Sequence, residues 1–97
     1  MAQTVKSTWV LSGWRVILLE KPQVLRRIFF DIRVLADPTV DSKSYISFDD
    51  PSFLSYYTLD GSVRRLKAKG DEIFQGAIWV SNVSTTDLLF VMTEILI

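Results

Sequence analysis

Wherever this chain has a clear hydrophobic rhythm the period is two, and that period restricts it to strands. In residues 24–35 (VLRRIFFDIRVL), Val24, Ile28, Phe30, Ile32 and Val34 share one phase, broken only by Arg26. Arg27, Asp31 and Arg33 alternate with Leu25, Phe29 and Leu35 on the other. Helix is the lesser alternative for this segment. STWVL (7–11), WRVILLE (14–20), SYISF (44–48), FLSYYTL (53–59), SVRRLKA (62–68), DEIFQGAIWVSN (71–82) and DLLFVMTEILI (87–97) read as the remaining strands.

The punctuation agrees with this division. Ser12-Gly13 separates the first two strands, while Asp37-Pro38 and Asp49-Asp50-Pro51 interrupt pairing because proline lacks the ladder N–H and restricts its predecessor. Asp60-Gly61 predicts a hairpin joining 53–59 directly to 62–68, since both residues tolerate positive φ. Lys69-Gly70-Asp71 turns the chain again, and residues 82–87 connect to the last strand. About eight strands and no helix in 97 residues predict an all-β chain, a single β-sandwich or barrel domain spanning residues 1–97.

The last strand sets a further constraint. Leu89, Val91, Thr93, Ile95 and Ile97 lie in one phase, and Leu88, Phe90, Met92, Glu94 and Leu96 in the other, so both faces need cover. A small sandwich supplies one inner face only. With 48% hydrophobic residues, the chain is expected to bury the surplus between copies. The phase of Leu89 and Val91 is assigned to the core, which makes Leu88, Phe90 and Met92 interface residues, together with Phe29 beside Phe30 and Trp79 between Ile78 and Val80.

Composition excludes much chemistry. Without cysteine or histidine there are no disulfides, thiolate nucleophiles or histidine ligands for zinc or haem, and the commonest general base is missing. Asp49 and Asp50, with Asp41 or Asp60, offer hard oxygen donors to calcium, but no loop spacing ending in a bidentate Glu accompanies them, and they read as turn residues. No acid pair is set apart as a glycosidase requires. The expectation is a non-enzymatic protein with no cofactor and no metal. Asn82-Val83-Ser84 matches a glycosylation sequon but reads as a turn. Trp9, Trp14, Trp79, Tyr45, Tyr56 and Tyr57 suit core or interface packing, with stacking on sugar rings in a carbohydrate- or receptor-binding module as the alternative.

Charge sums to zero yet is unevenly spread. Residues 1–36 hold six basic and two acidic side chains, net +4, and residues 37–60 hold one basic and five acidic, net −4. Arg65, Lys67 and Lys69 share a strand face that reads first as a solvated edge with charged gatekeepers, with pairing to a partner's acids, and of Asp49 and Asp50 to its cations, as the alternative. A neutral total argues against nucleic acid as partner. The first residues carry no apolar leader, and the longest apolar run, residues 88–92, falls far short of the ~20 a spanning helix needs, so no membrane partner is expected.

Leu66, Gly70, Asp71 and Ile73 form a Leu-x-x-x-Gly-Asp-x-Ile pattern entering a long strand. It resembles a corner of jelly rolls of the tumour necrosis factor and complement type. In length and strand density the chain is also similar to small β-sandwich proteins of tailed-phage virions, including head decoration and spike modules. The resemblance implies a jelly-roll-like sandwich assembling as a homotrimer with terminal strands near its axis. It further implies a virion component, made in the host cytoplasm and bound to a larger assembly such as a capsid.

Overall fold

The computed structural model describes residues 2–20, 24–35, 42–69 and 76–97. Their strands are β1 (Gln3–Leu11), β2 (Val16–Leu19), β3 (Arg27–Val34), β4 (Lys43–Phe48), β5 (Tyr57–Asp60), β6 (Arg65–Lys69), β7 (Ile78–Asn82) and β8 (Leu88–Leu96). Two four-stranded antiparallel sheets result: sheet A in the order β1-β8-β3-β6 and sheet B in the order β2-β7-β4-β5. β1 pairs with β8, β2 with β7, β3 with β6 and β4 with β5, so the chain is one ribbon folded back on itself and rolled up. The β3–β8 and β4–β7 ladders join these pairs into the sheets of a jelly roll, as expected for an all-β sandwich.

Alternating burial along each strand places the core between the sheets. Phe30, Ile32 and Val34 of β3 meet Ile46, Leu59, Ile78 and Val80 from sheet B. The expected phase of β8 is reversed. Leu88, Phe90 and Met92 are buried in the core, with Phe90 fully so, and therefore do not form an outer contact surface. Trp9 stacks on Phe90 with ring centroids 5.4 Å apart. Leu89, Val91, Thr93 and Ile95 face outward and are half-buried between β1 and β3, whose residues Thr8 and Arg33 flank Val91. The β-branched phase thus takes the outer pleated surface, which suits such side chains, and the larger flexible ones fill the interior.

A bulge in β3 explains how a charge enters this interior. Arg27 stands opposite Leu96 and Phe29 opposite Ile95, leaving Ile28 as the extra residue. The bulge shifts the inward phase, so that Arg27 and Phe30 are both buried although their numbers differ in parity.

Two other expectations change. Residues 53–56 form a loop rather than the start of β5, because the Asp50 carboxylate accepts the N–H groups of Ser52 and Leu54, both at 2.9 Å. This local bonding competes with a sheet ladder. The Asp60-Gly61 turn exists, closed by the Asp60 N–H donating to the Val63 carbonyl at 2.8 Å, but it is not a hairpin. It carries the chain from β5 in sheet B to β6 in sheet A. Gly70, Asp71 and Ile73 of the corner pattern, like Asp37, Pro38 and Asp41, lie outside the described residues, while Leu66 packs against the core from β6.

Phe90→Ala should lower the unfolding free energy by about 3–5 kcal/mol through lost burial and a central cavity. Val91→Thr, on the outer phase of the same strand, should stay within about 1 kcal/mol. Denaturant unfolding of both variants checks the phase directly.

Candidate interaction surfaces

The outer faces of the two sheets are chemically unlike. On sheet A the registers align Thr4, Ile95, Phe29 and Lys69 in one row, Lys6, Thr93, Asp31 and Lys67 in the next, and Thr8, Val91, Arg33 and Arg65 in a third. This face therefore holds five basic residues against one acid, net +4, around an apolar stripe along β8. Arg65 is held by Asp31 through two parallel bonds of 2.8 and 2.7 Å. The Lys67 ammonium lies 5.5 Å from the centre of the Phe29 ring, which keeps the lysine flat on the sheet and half-covers Phe29. Lys69 ends β6 exposed.

Sheet B presents a different surface. Leu18 and Ser47 flank Trp79, and Val16, Ser81, Tyr45 and Thr58 align in the neighbouring row. No charged side chain stands in either row. Val16 is 52% exposed and Tyr56, whose ring lies 4.3 Å from that of Tyr45, is 47% exposed. The loop after β4 folds onto this face, since the Ser47 hydroxyl lies 2.8 Å from the Asp50 carbonyl and 3.2 Å from that of Ser55.

Acids sit at the margins of this apolar layer. Asp49 is exposed, adopts φ 58° and packs against Gly76, where a β-carbon would collide with its side chain. Asp50 is occupied as a turn cap, as described above. Asp60, opposite Lys43 across β4 and β5, is held below the ordinary aspartate range by the backbone N–H groups of Val63 and Ser62, then by the Ser62 hydroxyl. Of the residues singled out in the sequence, Phe29 and Trp79 thus lie on opposite outer faces. Arg65, Lys67 and Lys69 share one surface, and Asp49 and Asp50 border the other.

Two buried polar clusters escaped sequence reading. The Arg27 Nε donates to Glu94 at 2.8 Å with both side chains nearly inaccessible, and Arg27 Nη1 donates to the Gly76 carbonyl at 3.1 Å. Arg27 is therefore not part of a surface basic patch. Asn82, also fully buried, donates to the carbonyls of Leu11 at 2.9 Å and Thr86 at 2.7 Å, and accepts from the N–H and hydroxyl of Ser84. Its amide nitrogen is wholly engaged, so the sequon acts as a turn lock. The Trp9 Nε1 and Ser44 Oγ atoms are buried without a hydrogen-bond partner. Among the described residues no three potential metal ligands gather.

No family model and no curated protein matches the sequence. Solved structures do resemble the fold. A cupin domain of an XRE-family transcriptional regulator from Enterobacter cloacae superposes with TM-score 0.59 at 9% identity, over 94% of this chain and 79% of that one. A chain of the acid-stable capsid of Helicobacter pylori bacteriophage KHP30 gives 0.57 at 16% identity, over 99% and 92%. A de novo designed double-stranded β-helix gives 0.58 at 11%, over 93% and 97%. At these identities the likeness defines the fold alone: a small jelly roll of the cupin-like, double-stranded β-helix type.

Arg27→Met should destabilise the chain by about 3–5 kcal/mol because it strands the Glu94 carboxylate, and adding Glu94→Leu should restore most of that loss. A double-mutant cycle by denaturant unfolding measures this coupling. For Asp60 the lowered folded value makes its contribution complete above the ordinary aspartate range and lost as pH falls through the folded value. A carboxyl titration by NMR should place Asp60 below the ordinary aspartate range, and Asp60→Asn should remove that acid-side component.

Proposed function

We propose that this chain is a non-enzymatic structural subunit that acts by self-association, as a component of a virion. The supporting observation is the outer face of sheet B, where Val16, Leu18, Tyr45, Tyr56 and Trp79 form a layer without a central charge. An apolar layer rimmed by polar residues marks an association surface. The likeness to a phage capsid chain, running nearly the full length of both, adds the virion context. Capsid decoration as a homotrimer is the form this role takes, with burial of the sheet B face as its mechanism and no catalysis or cofactor involved. The larger partner is the protein shell on which such subunits sit.

Light scattering of the purified protein at micromolar concentration should give a small multiple of the 11.1 kDa chain mass. Val16→Asp should reduce that mass while strand-rich circular dichroism is retained, since Val16 stands outside the core. A native protein that scatters as a monomer overturns the proposal.

A further inference from the structure

The two outer faces complement each other better than either complements itself. Sheet A offers the apolar stripe of Leu89, Val91 and Ile95 flanked by cations, and sheet B offers an apolar layer flanked by Asp49, Asp50 and Asp60. A two-fold contact of sheet A with its copy would set a face of net +4 against an identical one. The corresponding contact of sheet B would bring the acidic margins of two copies to one interface, where like charges oppose docking. A polyanion binder carries an excess of positive charge, whereas here the whole chain is neutral and the basic face is opposed by a sheet B margin where Asp49, Asp50 and Asp60 outnumber Lys43.

Resting on the self-association proposed above but not on its trimeric order, we infer that the contact is head to tail: the outer face of sheet A of one copy seats on the outer face of sheet B of the next. The β8 stripe covers Val16, Leu18 and Trp79, and the Lys67 and Lys69 row meets the acids bordering sheet B. Arg65 contributes less, being already committed to Asp31. This arrangement assigns a role to the apolar outer phase of β8 and to Phe29, which a contact through sheet B alone leaves open to water. It also makes association sensitive to salt, because the charge pairs lie at the rim of the contact.

The test uses two blocked variants of the full chain. Lys67→Glu with Lys69→Glu blocks the sheet A face at exposed positions, and Val16→Asp blocks the sheet B face. Each variant alone should fall to the 11.1 kDa monomer with native circular dichroism. Mixed in equal amounts they should form a dimer of twice that mass and nothing larger, since one intact face of each kind remains. Raising sodium chloride from about 0.05 to 0.5 M should weaken that dimer at least about tenfold. A wild-type oligomer whose mass is unchanged by the double lysine reversal, or a mixture that stays monomeric, overturns the head-to-tail contact while leaving self-association standing. If the lysine reversal abolishes retention of single-stranded DNA yet leaves the particle mass intact, the face belongs to a nucleic acid and the inference fails. A monomeric wild type fails the underlying proposal instead.

Discussion

Strand β8 is hydrogen-bonded to β1 along its whole length and to β3 on its other side, so sheet A is organised around it. Its inner phase supplies Leu88, Phe90 and Met92 to the core, and its outer phase is half-covered by neighbouring side chains. One face of an almost wholly apolar strand is thereby covered within one copy and the other only in part. That arrangement leaves the outer surface of sheet A neither greasy nor purely solvated: a narrow apolar stripe lies between ranks of threonine and lysine. Exposed hydrophobic side chains remain on both sides, Val10 and Leu35 beside Leu89 on sheet A and Val16 and Tyr56 at sheet B.

The Arg27–Glu94 pair ties the same strand to β3 at a bulge. Burying both charges carries a large desolvation cost, which their mutual attraction and the bond to the Gly76 carbonyl offset only when the register is correct. A slip of one residue in either strand would turn one of the two side chains to the outer face and leave the other uncompensated. The pair therefore acts on the choice of register more than on net stability. Asn82 works in the same way at the connection into β8, satisfying carbonyls of residues 11 and 86 with one amide.

The strand count, the described turns at Ser12-Gly13, Asp49-Asp50-Pro51 and Asp60-Gly61, and the sandwich class were legible because period-two patterning and Pro or Asp-Gly punctuation are local. The phase of β8 was not. Glu94 and Thr93 give each phase one polar residue, and only the partner 67 positions away shows that the glutamate is the one taken inside. The β5 boundary was misread because Asp50 bonds the following backbone in a way that residue identity leaves ambiguous. Asp60-Gly61 carried a sound turn signal, but whether the flanking strands pair depends on which sheet each joins. Phe29 and Trp79 lie on the outer phases of the two sheets, whereas Leu88, Phe90 and Met92 lie within. The gathering of Lys6, Arg33, Lys67 and Lys69 on one surface follows from pairing between strands remote in sequence, which charge counts along the chain do not reveal.

The nested pairing has a consequence for synthesis. β4 and β5 are close neighbours in the chain and can meet early, but each successive pair closes a longer loop, and β1 joins residues as distant as Gln3 and Leu96. Because β8 lies between β1 and β3, a chain synthesised only as far as β7 has the flanks of sheet A without its centre. Until β8 docks, Arg27 lacks Glu94, Trp9 lacks the ring it stacks upon, and the cations of β1 and β6 are not yet held on a common surface. Sheet B carries no such dependence on the last strand. Docking of β8 therefore couples completion of the core to creation of the basic face.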